Sequence, residues 1–526
     1  MEAPPAFGFR SISDRLGAWN FYFIAKLVLF AMGLIGFHLV ENLVFAAVLF
    51  ALAAPRWRRF RPWIGVPVAI ALLYYDSWLP GFARVASQAG LVASFSAAYL
   101  VELAGRFVNV TAIALLAAAL LAYVVIARFV RLDVFVVVAM VAMALLIGPP
   151  GPRAPAAASA PDAAKASRAP QDPDTVLADF FRKEAQRGVT FDRPPEASPA
   201  FDVIFLHVCS LSWDDLAATG LDKHPLLASF DILLRRFNAV STYSGPAVIR
   251  FLRAPCGQPS HRALYAPSEP RCLLMPGLEQ AGLEPQLVLN HDGHFDDFLG
   301  HLRAQGVKAA PLPLKGIAAP QRGFDDSRIH DDAAVLASAL EARQKSSAAR
   351  AVVYYNTVSL HDGNRLASRP GVKSSETYKA RLAKLLDDLQ GFMDKVAASG
   401  RRAVVVLVPE HGAAWRGDAA QIAGLREIPT PAITLVPVGV RVIGPDARRN
   451  GEALQVPEST SFLAVSHIVA RMLAKPPYGA EGFRPADYTA GLPLTDFVSE
   501  GETATLLGRG DAYQIRQDRD PWKAFR

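Results

Sequence analysis

Cysteine is scarce in this chain: 526 residues carry three, Cys209, Cys256 and Cys272. They form neither a CxxC pair nor a zinc-finger spacing, which excludes the finger-type metal modules. Charge is also thin, at 20% of residues, while hydrophobic residues reach 52%. The soluble part has no Lys/Arg run with interleaved aromatics, so the net charge of +7 does not point to nucleic acid. Most of that charge lies in residues 1–150, where eleven Lys/Arg stand against six Asp/Glu. There the basic residues flank apolar runs, as around membrane spans. The chain is too long for one ordinary domain. Its composition is that of a membrane part joined to a soluble part.

Five apolar runs fill the first 150 residues: 19–38, 39–54, 63–79, 110–127 and 134–148. A span needs about 20 apolar residues, with a lower limit of about 17, so two of these runs are marginal. Arg10 and Arg15 precede the first run, Arg56, Arg58, Arg59 and Arg61 follow the second, and Arg128 and Arg131 follow the fourth. The positive-inside rule then gives five spans with the N-terminus in the cytoplasm, and the C-terminal part on the outer side. Residues 91–107 read as interfacial, because a sixth span would upset the charge pattern. A cleavable signal peptide fits poorly, since further apolar runs follow the first.

The expected organisation is a helical membrane domain over 1–148, a Pro/Ala-rich linker over 149–174 and a soluble domain over 175–526. In the soluble part β-rich runs at 201–208, 285–290, 351–359, 402–409 and 432–440 alternate with helix-like stretches such as 375–399. That alternation predicts an α/β domain with a mostly parallel sheet, whose ligands bind beyond the carboxyl ends of the strands.

Four positions fall at such ends or beside them. Cys209 follows the first strand, His361 the strand at 351–359, and Glu410 and His411 the strand at 402–409. Ser244, in "STYSGPAVIRFLRAP", stands at the start of a probable helix, with Pro246 near its first position. The helix N-terminus offers N–H groups to a phosphoryl group. Each residue alone has a bland reading: a buried small thiol, a loop pair, a turn serine. Together, thiolate, imidazole, carboxylate and serine oxygen make a plausible tetrahedral zinc set, and the thiolate favours zinc over magnesium or calcium. Asp214 and Asp215 read as residues of a helix start. "HDGHFDDF" at 291–298 and "HDD" at 330–332 read as polar loops or helix starts, with a place at the substrate's edge as the alternative for the first, which follows a strand. Trp415 is a candidate for stacking on a sugar ring.

The segments "CSLSWDDL", "FNAVSTYSGPAVIRFLRAPCGQ", "PRCLL", "NTVSLHDGN", "VPEHGAAWRGD" and "GLREIPTPAIT", with the multi-span N-terminus, carry a resemblance. The chain resembles the alkaline phosphatase/sulfatase superfamily, in its membrane-anchored phosphoethanolamine transferase branch. That branch usually has a threonine nucleophile and Glu, Asp and His ligands. Here Ser244, Cys209 and a Glu-His pair stand in those places, which resembles the cellulose phosphoethanolamine transferase family. The resemblance covers nearly the whole chain and implies an alkaline-phosphatase-like catalytic domain in the periplasm. It implies zinc held by Cys209, Ser244, Glu410 and His411, with Tyr243, His361 and Arg426 lining the substrate pocket. It further implies phosphatidylethanolamine as donor, cellulose as acceptor and a cellulose synthase complex as partner at the bacterial inner membrane.

Two other functions remain open at this stage. A hydrolase of the same superfamily would hand the group to water, and a scaffold of a polysaccharide synthase would carry a dead site. The full Cys, Ser and Glu-His set argues against the scaffold. In an oxidising periplasm Cys256 and Cys272 are expected to pair, leaving Cys209 free.

Overall fold

The computed structural model describes residues 16–32, 34–77, 94–106, 110–129, 132–147, 172–418, 421–510, 512–517 and 521–525. They fall into two compact units, one within 1–89 and 103–157 and the other within 90–102 and 158–526.

The first unit is helical. Trp19–Ala31, Leu39–Ala51, Arg61–Asp76, Val110–Ile126 and Asp133–Ile147 take up the five expected runs. The first of them stops well short of the expected residue 38. No single helix among the described residues is long and apolar enough to cross a membrane. Inside this unit the buried Lys26 ion-pairs with the buried Asp76. Asn42 accepts from Lys26 at 2.7 Å and donates to Asp76 at 2.9 Å. A buried charge pair is tolerable only when its remaining lone pairs and protons are met in this way. Arg10, Arg15, Arg131 and most of the expected linker, up to residue 171, lie outside the described residues.

The second unit is built on a seven-stranded sheet. Its strands are β1 (Asp202–Val208), β2 (Ile232–Asn238), β3 (Glu284–Leu289), β4 (Ala351–Thr357), β5 (Ala403–Pro409), β6 (Leu435–Ile443) and β7 (Leu454–Thr460). The order is β7-β2-β6-β5-β1-β4-β3. Every neighbouring pair is parallel except those made by β6, which runs against both β5 and β2. The sheet is thus mostly parallel, as expected. Val203 and Phe205 of β1 enter one apolar core, and Ile204, Leu206 and Val208 enter another on the opposite face. A strand covered on both faces needs no polar alternation, so β1, β4 and β5 are mostly apolar, with His207 and Asn356 as polar interruptions.

Several expectations need correcting. β6 starts at Leu435, because Pro431–Thr434 forms a short helical turn first. β2 and β7 were not expected as strands: Arg235 and Arg236 break the apolar run of one, and Pro457 and Glu458 that of the other. A helix over Pro173–Glu184, capped by Asp172, runs across the expected boundary at 174/175. The stretch read as interfacial forms the helix Ala97–Arg106, and its residues up to Glu102 pack within the second unit. Residues 91–93 and 107 lie outside the described residues.

Candidate active site

β1 and β5 are adjacent and parallel, with Val208 opposite Pro409. Their exits therefore bring Cys209 beside Glu410 and His411. Backbone hydrogen bonds hold the three exits together: Cys209 N–H donates to the Thr357 carbonyl at 3.0 Å, Glu410 N–H to Val208 at 2.8 Å and Leu211 N–H to His411 at 2.7 Å. Immediately after the thiol the chain reverses through Ser210 at φ 65°. A non-glycine residue in the left-handed region needs its surroundings to hold it, and such strain gathers at functional sites.

Cys209, Glu410 and His411 are fully buried. One ligand atom from each lies within 4.8 Å of the others. Ser244 is the first residue of the helix Ser244–Leu252, and its Oγ is 3.5 Å from Cys209 Sγ. The Nε2 of His411 is 3.9 Å from the same sulfur and 3.8 Å from Glu410 Oε2. His411 Nδ1 donates to the Gly412 carbonyl at 2.9 Å. This places the proton on Nδ1 and leaves the Nε2 lone pair facing the sulfur and the carboxylate.

These residues fit a zinc ion by their own chemistry. Glu410 Oε2 is buried without a hydrogen-bond partner, which is costly unless something satisfies it. Burial and the Glu410 charge push the Cys209 thiol up to about 12. Burial also raises the Glu410 carboxyl and pulls His411 well down. A divalent cation offsets the penalty on the buried thiolate and carboxylate, and burial keeps the imidazole in the neutral form that ligates. Thiolate, imidazole and carboxylate are zinc's usual ligand types.

The remaining expected residues are close by. Arg426 is buried, with Nη1 3.2 Å from Ser210 Oγ and 3.3 Å from His411 Nδ1. Its buried Nε has no hydrogen-bond partner. The guanidinium lies 5.4 Å from the ring centre of Tyr243, whose hydroxyl donates to Glu427 Oε1 at 2.6 Å. Any donation from Tyr243 to a substrate oxygen would have to compete with Glu427. His361 lines a narrow cleft together with Ser244. Burial, reinforced by the Arg426 charge, lowers its pKa to about 4, so the ring is neutral at neutral pH.

Sequence reasoning missed a layer of supporting residues. Asn356, at the end of β4, donates to Glu410 Oε1 at 2.6 Å and accepts from His291 Nε2 at 2.9 Å. His207 lies 3.7 Å from Glu410 Oε1 and is held neutral by burial, its pKa lowered to about 3. The available signal was a polar residue inside an apolar strand, at 207 and at 356. His291 also lines the cleft, so "HDGHFDDF" is a wall of the site and more than a polar loop. In "HDD", Asp331 caps the helix Asp332–Lys345, while the buried Asp332 accepts from Tyr355, Thr357 and Ser359. Asp214 and Asp215 start the helix Trp213–Thr219, as expected. Trp415 is not presented for stacking on a sugar: it stacks on Tyr378 and donates to the Ser375 carbonyl at 2.8 Å. Cys256 and Cys272 form a disulfide, and Cys209 is free, both as expected.

Two family models match the chain. The cellulose biosynthesis protein BcsG N-terminal domain matches residues 19–145, and the BcsG C-terminal domain matches residues 156–522. The chain is similar to cellulose biosynthesis protein BcsG of Escherichia coli (strain K12), at 38% identity over 97% of this chain and 96% of the relative. It is similar to cellulose biosynthesis protein BcsG of Salmonella typhimurium at 36% identity, with the same coverage of each. A solved structure of a protein in the alkaline phosphatase superfamily from Vibrio parahaemolyticus gives a TM-score of 0.48 at 13% identity, over 67% of this chain and 88% of that one.

Proposed function

The chain belongs to the BcsG family of cellulose biosynthesis proteins, and from that premise we propose that it is a zinc-dependent phosphoethanolamine transferase of the alkaline phosphatase superfamily. In this reading residues 1–148 anchor it in the bacterial inner membrane by about five spans, and residues 149–174 link them to the periplasmic catalytic domain, 175–526. Phosphatidylethanolamine is the donor, and the C6 hydroxyl of a glucosyl unit of cellulose is the acceptor, within a cellulose synthase complex.

One observation carries the reading: the Ser244 hydroxyl stands 3.5 Å from Cys209 Sγ, beside Glu410 and His411 at the strand exits. Cys209, Ser244, Glu410 and His411 would hold the zinc, which when bound supplies a Lewis acid that lowers the pKa of the serine hydroxyl. Ser244 Oγ attacks the donor phosphorus; an O–P bond forms, the bond to the diacylglycerol oxygen breaks, and the serine proton ends on that oxygen. Arg426 clamps the phosphoryl oxygens through its guanidinium N–H groups. In the second half the glucosyl hydroxyl attacks the same phosphorus, the Ser244 O–P bond breaks, and neutral His361 accepts the hydroxyl proton and passes it to the released Ser244 oxygen.

The test is mass spectrometry with a phosphoethanolamine ester as donor. Ser244 should carry the phosphoethanolamine group, Ser244→Ala should lose both adduct and turnover, and a cello-oligosaccharide should speed discharge and become modified. Discharge to water alone, at a rate indifferent to glucan, would mean that the chain is a hydrolase. An adduct on another residue would remove Ser244 as nucleophile.

A further inference from the structure

The stretch 94–102 packs in the unit that holds the cleft, apart from the unit formed by the chain on either side of it. Its contacts are specific. Ser96 N–H donates to the Phe324 carbonyl at 2.8 Å, and the Tyr99 hydroxyl donates to Asp362 Oδ2 at 2.9 Å. Glu102 Oε2 accepts from Ser374 N–H at 3.2 Å and faces Arg365 Nη2 at 3.6 Å. Arg365 Nη1 also donates to Ser96 Oγ at 3.3 Å. Phe95 meets Phe324 edge-on, with ring centres 5.2 Å apart, and meets Tyr99 at the same distance. Gly363 has φ +81°, and a Cβ there would stand 2.5 Å from Phe324 and 2.8 Å from Tyr99. The turn after His361 is shaped to receive the Tyr99 ring and the Phe324 Cβ.

These contacts converge on the neighbours of one side chain. His361 Nδ1 donates to the carbonyl of Asp362 at 2.7 Å, and the Phe324 ring centre is 5.0 Å from the imidazole. One partner fixes the proton on Nδ1, leaving Nε2 as the acceptor; the other fixes the plane of the ring. Both partners are held by 94–102. Residues from before the Pro/Ala-rich stretch therefore support the histidine that shares the cleft with Ser244.

We propose that residues 94–102, with Tyr99 at their centre, are a positioning strap for His361, so that the catalytic unit is completed by chain N-terminal to the linker. The proposal rests on the role of His361 in the transferase reading. Tyr99 does not touch the reacting atoms; it acts through Asp362 and Phe324.

The experiment uses the full-length chain and follows discharge of the Ser244 adduct to a cello-oligosaccharide in single turnover. Tyr99→Phe removes only the hydroxyl and should slow discharge about 5-fold, the cost of one hydrogen bond. Tyr99→Ala and Phe95→Ala should slow it further, with zinc content unchanged. Backbone hydrogen exchange of 361–366 should quicken in all three. In a His361→Ala background Tyr99→Phe should have no further effect, since coupled residues are not additive; a general loss of stability would slow both backgrounds alike. Equal slowing in both backgrounds, or Tyr99→Phe discharging at the wild-type rate while His361→Ala is slow, overturns the strap alone. His361→Ala discharging at the wild-type rate overturns the role of His361 and the strap with it.

Discussion

Asp215 and Ala413 are joined by a 2.7 Å hydrogen bond from the Ala413 N–H to Asp215 Oδ2. The bond ties the helix that follows Cys209 to the loop that follows His411. The same carboxylate caps its own helix through Ser212, at 2.8 Å from Oγ, and accepts from Trp415 N–H at 3.3 Å. Between them passes Gly412, where a Cβ would stand 2.6 Å from Ser212 Oγ. The loops that carry the proposed metal ligands are thus fixed to each other by a residue outside the proposed ligand set.

Asp215→Ala should therefore weaken zinc binding about 10- to 100-fold, the range found when a group supporting metal ligands is removed. Equilibrium titration against a competing chelator measures it. Gly412→Ala should do the same by pushing the loop off Ser212. Wild-type zinc affinity in both variants would mean that the loops hold their places without this clamp.

How far the sequence spoke depends on how local each signal is. Cys209, Glu410 and His411 were legible because they follow mostly apolar strands, and a parallel sheet gathers strand exits on one rim. His207 and Asn356 were overlooked because they sit within such strands and look like single polar interruptions. β2 was hidden by Arg235 and Arg236; of the two, Arg235 lies 4.0 Å over the ring of Trp213. The strap at 94–102 had no signal at all, because its partner Asp362 is 263 residues away from Tyr99. Trp415 misled because an aromatic in a site loop reads the same whether it faces a ligand or Tyr378.

Zinc content gives a direct test of the ligand set. The purified chain should carry about one zinc with thiolate, carboxylate and imidazole ligation, readable by elemental analysis and X-ray absorption. Cys209→Ala should lose most of the metal or most of the turnover. Full occupancy with normal turnover in that variant would remove the thiol from the set.

The disulfide predicts a stability change apart from chemistry. Cys256 and Cys272 are 16 residues apart, so their bond should contribute about 3 kcal/mol by restricting the unfolded chain. The double variant Cys256→Ser, Cys272→Ser should unfold at a lower temperature and keep its zinc. Peptide mapping that found Cys209 in a disulfide would contradict both the pairing and the metal site.

Orientation is tested by a reporter fused after Ala158. A reporter active only in the cytoplasm should be silent there if five spans begin with the N-terminus inside. Activity at that position would make the span count wrong by an odd number.

The pH dependence of discharge isolates His361. Its ordinary pKa is about 6.5, and burial beside the Arg426 charge lowers it to about 4. A depressed histidine is neutral, and able to accept a proton, at every pH above the lowered value. Single-turnover discharge of the Ser244 adduct to a cello-oligosaccharide should therefore hold level from pH 7 down to about 5, and fall as pH passes through about 4. Zinc content must be followed alongside, since acid also protonates the ligands. His361→Ala should slow discharge by roughly 10²- to 10⁴-fold, as loss of a general base does, and should leave no inflection in this range at constant zinc. An acid limb near 6.5 in the wild type would mean that the imidazole is solvated during turnover and that the cleft opens before the proton moves.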